Sequence, residues 1–136
     1  MNTIFYTKDI EQDTNNNTNF RSVVWTGKHM QIVYMSLRVG EEIGIETHNY
    51  VDQFFRIEQG TGVVMIDGES FEMHSDSAIV VPAGSEHDVI NTGSVELKLY
   101  TIYTPANHID GTVHVTKADA ENDTSDEDFG HSQDSK

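Results

Sequence analysis

Residues 40–60 read GEEIGIETHNYVDQFFRIEQG, a run that opens and closes on glycine and sets Glu46, His48 and Gln53 between them. Successive residues of a strand point to opposite faces, so Glu46 and His48 share one face while Thr47 takes the other. A short turn over residues 49–52 leads to a second strand headed by Gln53, with Phe55 and Ile57 on the same face. Two adjoining strands thus bring a carboxylate, an imidazole and an amide to one inward spot, a donor set suited to a metal ion. A fourth donor is expected from Pro82-Ala83-Gly84-Ser85-Glu86-His87, where a proline and a glycine bend the chain just before a histidine.

Outward from that stretch the chain reads as short β-strands separated by turn residues. Strands are expected over 20–26, 29–39, 43–48, 53–58, 63–66, 70–74, 78–81, 86–90 and 95–104. In the long strand over 29–39, Val33, Met35, Leu37 and Val39 form the inward set, and the strand can also pair across a homodimer interface. Asp67-Gly68 is suited to the positive φ angles of a tight hairpin turn. Before residue 20, Ile4, Phe5 and Ile10 can dock as an edge strand, and the polar run QDTNNNTN reads as a loop. After residue 104 only 117–121 looks helical. No helical periodicity exceeds about two turns, which points to an all-β barrel or sandwich.

One domain fits in 136 residues. The absence of cysteine rules out disulfides and thiolate metal sites, so any metal must be held by nitrogen and oxygen. The first residues lack the basic start and apolar run of a secretory signal, and no stretch approaches the length of a membrane span, so a cytoplasmic location is expected. A net charge of -15 argues against nucleic acid and anionic membranes as partners. Seven acids stand against Lys136 alone over residues 118–136, and this segment has too few apolar groups to offset the entropy of ordering. The expected organisation is an N-terminal strand and loop over 1–19, a barrel over 20–106, an extension packing on or near it over 107–122, and a disordered acidic tail over 123–136.

The spacing of two segments resembles the paired motifs of the cupin superfamily. The usual first motif is Gly, five residues, His-x-His, three or four residues, Glu, six residues, Gly. Here Gly40 is followed after five residues by Glu46-Thr47-His48, after four more by Gln53, and after six by Gly60. The usual second motif, Gly, five residues, Pro-x-Gly, two residues, His, three residues, Asn, is matched by Asp76, Pro82-Ala83-Gly84, His87 and Asn91, with only the first glycine replaced. The resemblance covers about residues 20–104. It implies a double-stranded β-helix, the cupin jelly-roll barrel, here with a short C-terminal extension. It also implies a divalent metal (Zn, Mn, Fe, Co or Ni) held by Glu46, His48, Gln53 and His87. Glu46 and Gln53 exchange the charged and neutral roles of the usual set, so a divalent ion is again left with a formal charge of +1, as expected of a retained site.

Three functions are compatible with this set. The first is an enzyme moving a proton on a small sugar or hydroxy-carbonyl substrate with metal assistance, similar to small cupins described as mannose-6-phosphate isomerase-like; the second is a metal-dependent dioxygenase; the third is a non-catalytic cupin that binds a small ligand. No catalytic residue is singled out. His29, His74 and His131 lack partner spacing and read as surface residues. His108 and His114, in PANHIDGTVHVTKADA, read the same way, against the alternative of a lid that supplies an acid or base at the barrel mouth.

Overall fold

The computed structural model describes residues 5–134 of the chain. Ten strands form two antiparallel sheets. The larger has the order β10-β1-β2-β9-β4-β7, built from β1 (Arg21–Thr26), β2 (Gln31–Leu37), β4 (Asp52–Gln59), β7 (Ala78–Val81), β9 (Leu97–Thr104) and β10 (Val113–His114). The smaller, β3-β8-β5-β6, is built from β3 (Glu46–Thr47), β5 (Gly62–Ile66), β6 (Glu69–Met73) and β8 (Glu86–Asn91). Together they form the jelly-roll barrel expected of an all-β chain.

The inner faces of both sheets supply the core, and Val33, Met35, Leu37, Phe55, Ile57, Val64, Val89, Leu97 and Leu99 are all buried. Each such side chain contributes about 1.5–3 kcal/mol of transfer free energy. Val39 does not join its alternate neighbours, because β2 ends at Leu37 and Val39 lies exposed in the following turn. β3 is shorter than the strand expected over 43–48. Gly44 holds a φ of 115° before it and interrupts the pairing: Glu42 bridges to Ile90 of β8, and the ladder resumes with Glu46 and Thr47.

Two glycine positions of the motifs explain the barrel's corners. Gly60 has a φ of 90°, and a Cβ there would stand 2.8 Å from the Glu96 carbonyl oxygen, so the β4–β5 corner admits no side chain. At the other corner the motif glycine is replaced by Asp76, yet its φ is 75°. The left-handed conformation is kept, in a residue type that tolerates it, and the Asp76 carboxylate accepts a hydrogen bond from Arg56 Nη2 at 2.8 Å.

The N-terminal edge strand and loop are replaced by helix α1 (Ile10–Asn16), with Ile4 lying outside the described residues. Asp9 caps α1 by accepting the Gln12 amide hydrogen at 3.1 Å, and Glu11 and Asp13 in the first turn complement the helix dipole. This segment lies against β9 and β4. Asn17 O accepts from the buried Lys98 Nζ at 2.6 Å, and Ser36 N donates to Asn19 O at 3.1 Å. That cover explains why every residue of β2 is buried.

The acidic tail also departs from its expectation. Residues 124–133 form helix α3 (Thr124–Gln133), preceded by α2 (Lys117–Asn122). Thr116 and Asp119 form a reciprocal capping box at α2, and Asp123 caps α3 by accepting from Asp126 N at 3.2 Å. The composition argument treated the acids as a solvated, repelling run, whereas two of them are bound to histidines of the preceding segment.

Candidate metal centre

Register places three of the expected donors together. Glu46 on β3 stands opposite His87 on β8, and His48 follows β3 directly. One donor atom from each of Glu46, His48 and His87 lies within 4.8 Å of the others, a cluster that can hold a metal ion. Gln53 reaches the same spot from the opposite sheet, with its Oε1 3.2 Å from His87 Nε2. His48 Nε2 lies 2.9 Å from Glu46 Oε2, and the His48 and His87 rings are 5.3 Å apart.

The hydrogen bonds behind these groups decide which atoms face inward. His87 Nδ1 lies 3.1 Å from the Ser85 carbonyl oxygen, so it carries the proton and donates, leaving Nε2 as a lone pair. Burial lowers the His87 pKa and favours this neutral form, against the Ser85 hydrogen bond. Gln53 commits its amide nitrogen to Thr101 Oγ1 at 2.9 Å, so Oε1 is the atom turned to His87. Two acceptors, His87 Nε2 and Gln53 Oε1, thus confront each other, an arrangement that a cation between them satisfies. The donor set fits a divalent ion on this ground. Burial pushes the Glu46 pKa up, but the hydrogen bond and charge of His48 outweigh it and hold the carboxyl below its usual range.

Two of the four, Glu46 and His48, line a cavity of about 380 Å³. One third of the Glu46 side chain is exposed, and it lines this cavity. The opposite wall is built from the C-terminal segment, including His108, Lys117, Asp126 and Glu127. His108 and His114 are therefore not surface residues: they are 7% and 3% exposed. His108 Nδ1 lies 2.7 Å from Asp126 Oδ2, whose other oxygen accepts the Ile109 amide hydrogen at 2.8 Å, and His108 Nε2 lies 3.1 Å from the Tyr103 hydroxyl. Burial lowers the His108 pKa, and the nearby Arg21 charge adds to the effect. The neutral ring donates from Nδ1 to Asp126 and accepts the Tyr103 hydroxyl proton at Nε2. Burial also raises the Tyr103 pKa, opposed by the charge of Arg21 and an amide interaction with Gln53. Tyr103 stands opposite Gln53 in the β4–β9 register, so the His108 network reaches the donor set through one side chain.

His29, His74 and His131 are exposed, as their lack of partners implied, although His131 lies on the cavity rim. Arg21 and Asp126 are additions to the sequence reading, and His108 and His114 move from the surface to the interior. Only the turn residues around His108 and His114 hinted at a segment folding over the mouth.

Residues 33–103 match the Cupin_2 model, described as a cupin domain, and the chain belongs to that family. It is similar to the uncharacterised protein YrkC of Bacillus subtilis, 56% identical over 118 residues that span 82% of this chain and 63% of YrkC, less than two thirds of that protein's length. The uncharacterised protein L612 of Acanthamoeba polyphaga mimivirus is 38% identical over 116 residues, 82% of this chain and 72% of L612. The crystal structure of BH2720 from Bacillus halodurans superposes with a TM-score of 0.84 at 46% identity, covering 85% of this chain and 92% of that one. Among the described residues, no helix is long and apolar enough to cross a membrane.

Proposed function

We propose that Glu46, His48, Gln53 and His87 hold a divalent metal ion and that the protein catalyses proton transfer on a small sugar or other hydroxy-carbonyl compound. The observation that supports this reading is the presence of a neutral, carboxylate-backed histidine, His108, on the wall of the cavity that Glu46 and His48 also line. A bound divalent ion supplies Lewis acidity toward a carbonyl or hydroxyl oxygen.

The chain's own residues account for the proton. Asp126 fixes His108 in the tautomer whose Nε2 is free of hydrogen, the state required of a base. His108 Nε2 removes a proton from the carbon beside the substrate carbonyl and returns it to the neighbouring position, so no oxidant is consumed. The Tyr103 hydroxyl rests on that nitrogen at 3.1 Å and is displaced or relays the proton. Helices α2 and α3 line one side of the cavity.

Elemental analysis of the purified protein comes first, followed by NMR detection of solvent deuterium entering the carbon beside the carbonyl of glycolaldehyde and of aldose and ketose substrates. Metal-dependent exchange that falls about 100-fold in His108→Gln is expected. Exchange insensitive to His108→Gln would remove the histidine from the mechanism. Oxygen consumption with a diketone would instead favour a dioxygenase, and ligand binding without turnover a non-catalytic cupin.

A further inference from the structure

Arg21 is a buried cation that, among the described residues, bonds no carboxylate. The residue is 6% exposed and lines the same cavity as Glu46 and His48. Nη1 lies 3.1 Å from His114 Nδ1. Because a guanidinium only donates, His114 Nδ1 is the acceptor, and the ring proton sits on Nε2, which donates to Asp123 Oδ2 at 2.9 Å. The immediate partner of Arg21 is thus a neutral ring. Its guanidinium carbon also lies 5.3 Å from the Phe20 ring centroid, and its buried Nε has no hydrogen-bond partner.

The nearby acids Glu46 and Asp126 feel the charge of Arg21, which helps hold both carboxyls low, but their hydrogen bonds go elsewhere. Glu46 is bound to His48 at 2.9 Å, and both oxygens of Asp126 are taken, by His108 and by the Ile109 amide. Among the described residues, no carboxylate forms an ion pair with Arg21. Keeping a guanidinium in such a place is unfavourable unless an anion completes it. A divalent ion held by Glu46 would add positive charge on the Arg21 side of the cavity.

We propose that Arg21 is a substrate-binding residue and that the ligand of this cavity is a small monocarboxylate bearing a neighbouring hydroxyl or keto oxygen. The carboxylate meets the planar fork of Arg21, while the neighbouring oxygen turns toward the donor set. A phosphate ester fits less well, because Glu121, Glu127 and Asp134 at the cavity wall repel a dianion, and Lys117 is the one other basic residue lining it besides the histidines. This inference deepens the hydroxy-carbonyl reading and rests on it for the orientation of the substrate, but not for the presence of the anion site.

The test uses calorimetric titration of the full chain, metal-loaded and metal-depleted, with glycolate, its uncharged analogue glycolamide, and inorganic phosphate. Glycolate should bind at least tenfold more tightly than glycolamide and more tightly than phosphate, and Arg21→Gln should abolish the discrimination while leaving metal content unchanged. Arg21→Lys should restore it only in part. Equal binding of glycolate and glycolamide by the wild-type protein overturns the proposal without recourse to any variant, as does tighter binding of phosphate. Should the protein take up no metal, the metal reading fails, whereas a preference for glycolate that depends on Arg21 in the metal-depleted protein still supports the anion site.

Discussion

His87 shows how much a single side chain depends on what stands behind it. Ser85 O fixes its proton on Nδ1, and the freed Nε2 faces Gln53 Oε1 at 3.2 Å. Replacing His87 or His48 by alanine is expected to lower bound metal at least about tenfold, measured by elemental analysis after dialysis against a fixed free-metal concentration. The next residue carries a separate expectation. Burial raises the Asp88 pKa from 3.8 to about 6, opposed by the Gly44 amide and reinforced by Glu42. A raised carboxyl pKa contributes stability below the unfolded value and loses it as pH rises through the folded one. Asp88→Asn can still accept from Gly44 N, so it should stabilise the protein relative to wild type. The gain should grow between about pH 4 and pH 6 and stay constant above that. Denaturation curves in chelator across this range would check it. That Glu46, His48, Gln53 and His87 come together could be read from the sequence because each is fixed by short spacing within a motif. Arg21 could not, because it meets His114 across 93 positions and neither residue stands in a distinctive local pattern.

At the scale of elements, the strands were legible and the terminal helices were not. β-branched alternation and the Asp67-Gly68 turn are local signals, and β4 to β9 fall within a few residues of their expected bounds. α3 has no such signal: its acids gain their partners from tertiary contact, Asp126 with His108 and Asp123 with His114. The expectation of a disordered tail therefore reverses. Truncation before Asp123 should leave His108 with a buried, unpaired N–H and cost on the order of 3 kcal/mol, seen as a lowered melting temperature. An unchanged melting temperature would show that α3 adds nothing to the fold. The β4–β5 corner is equally specific. Gly60→Ala should destabilise by more than about 1 kcal/mol, because both its φ of 90° and the 2.8 Å approach of Glu96 O oppose a methyl group.

The molecule as a whole carries a net charge of -15, so like-charge repulsion acts throughout the folded state. Raising sodium chloride from about 10 to about 150 mM should increase the melting temperature, since surface repulsion is screened over a shorter range. A fall in stability would mean that ion pairs such as Arg56–Asp76, rather than repulsion, dominate the salt response. The barrel itself was legible because two motifs and the hairpin between them agree with the strand pattern. Its C-terminal wall was not, because composition describes a segment's affinity for water without the partners waiting for it.

Glu46 and His87 belong to the smaller sheet and Gln53 to the larger, so the donor atoms measure the gap between the sheets as the jaws of a calliper would. An ion gripping both jaws would clamp them at one spacing, and stripping it would let them breathe. A methyl group lost from the distant hydrophobic filling, at Leu99 for example, would then register as altered ion selectivity before it registered as unfolding.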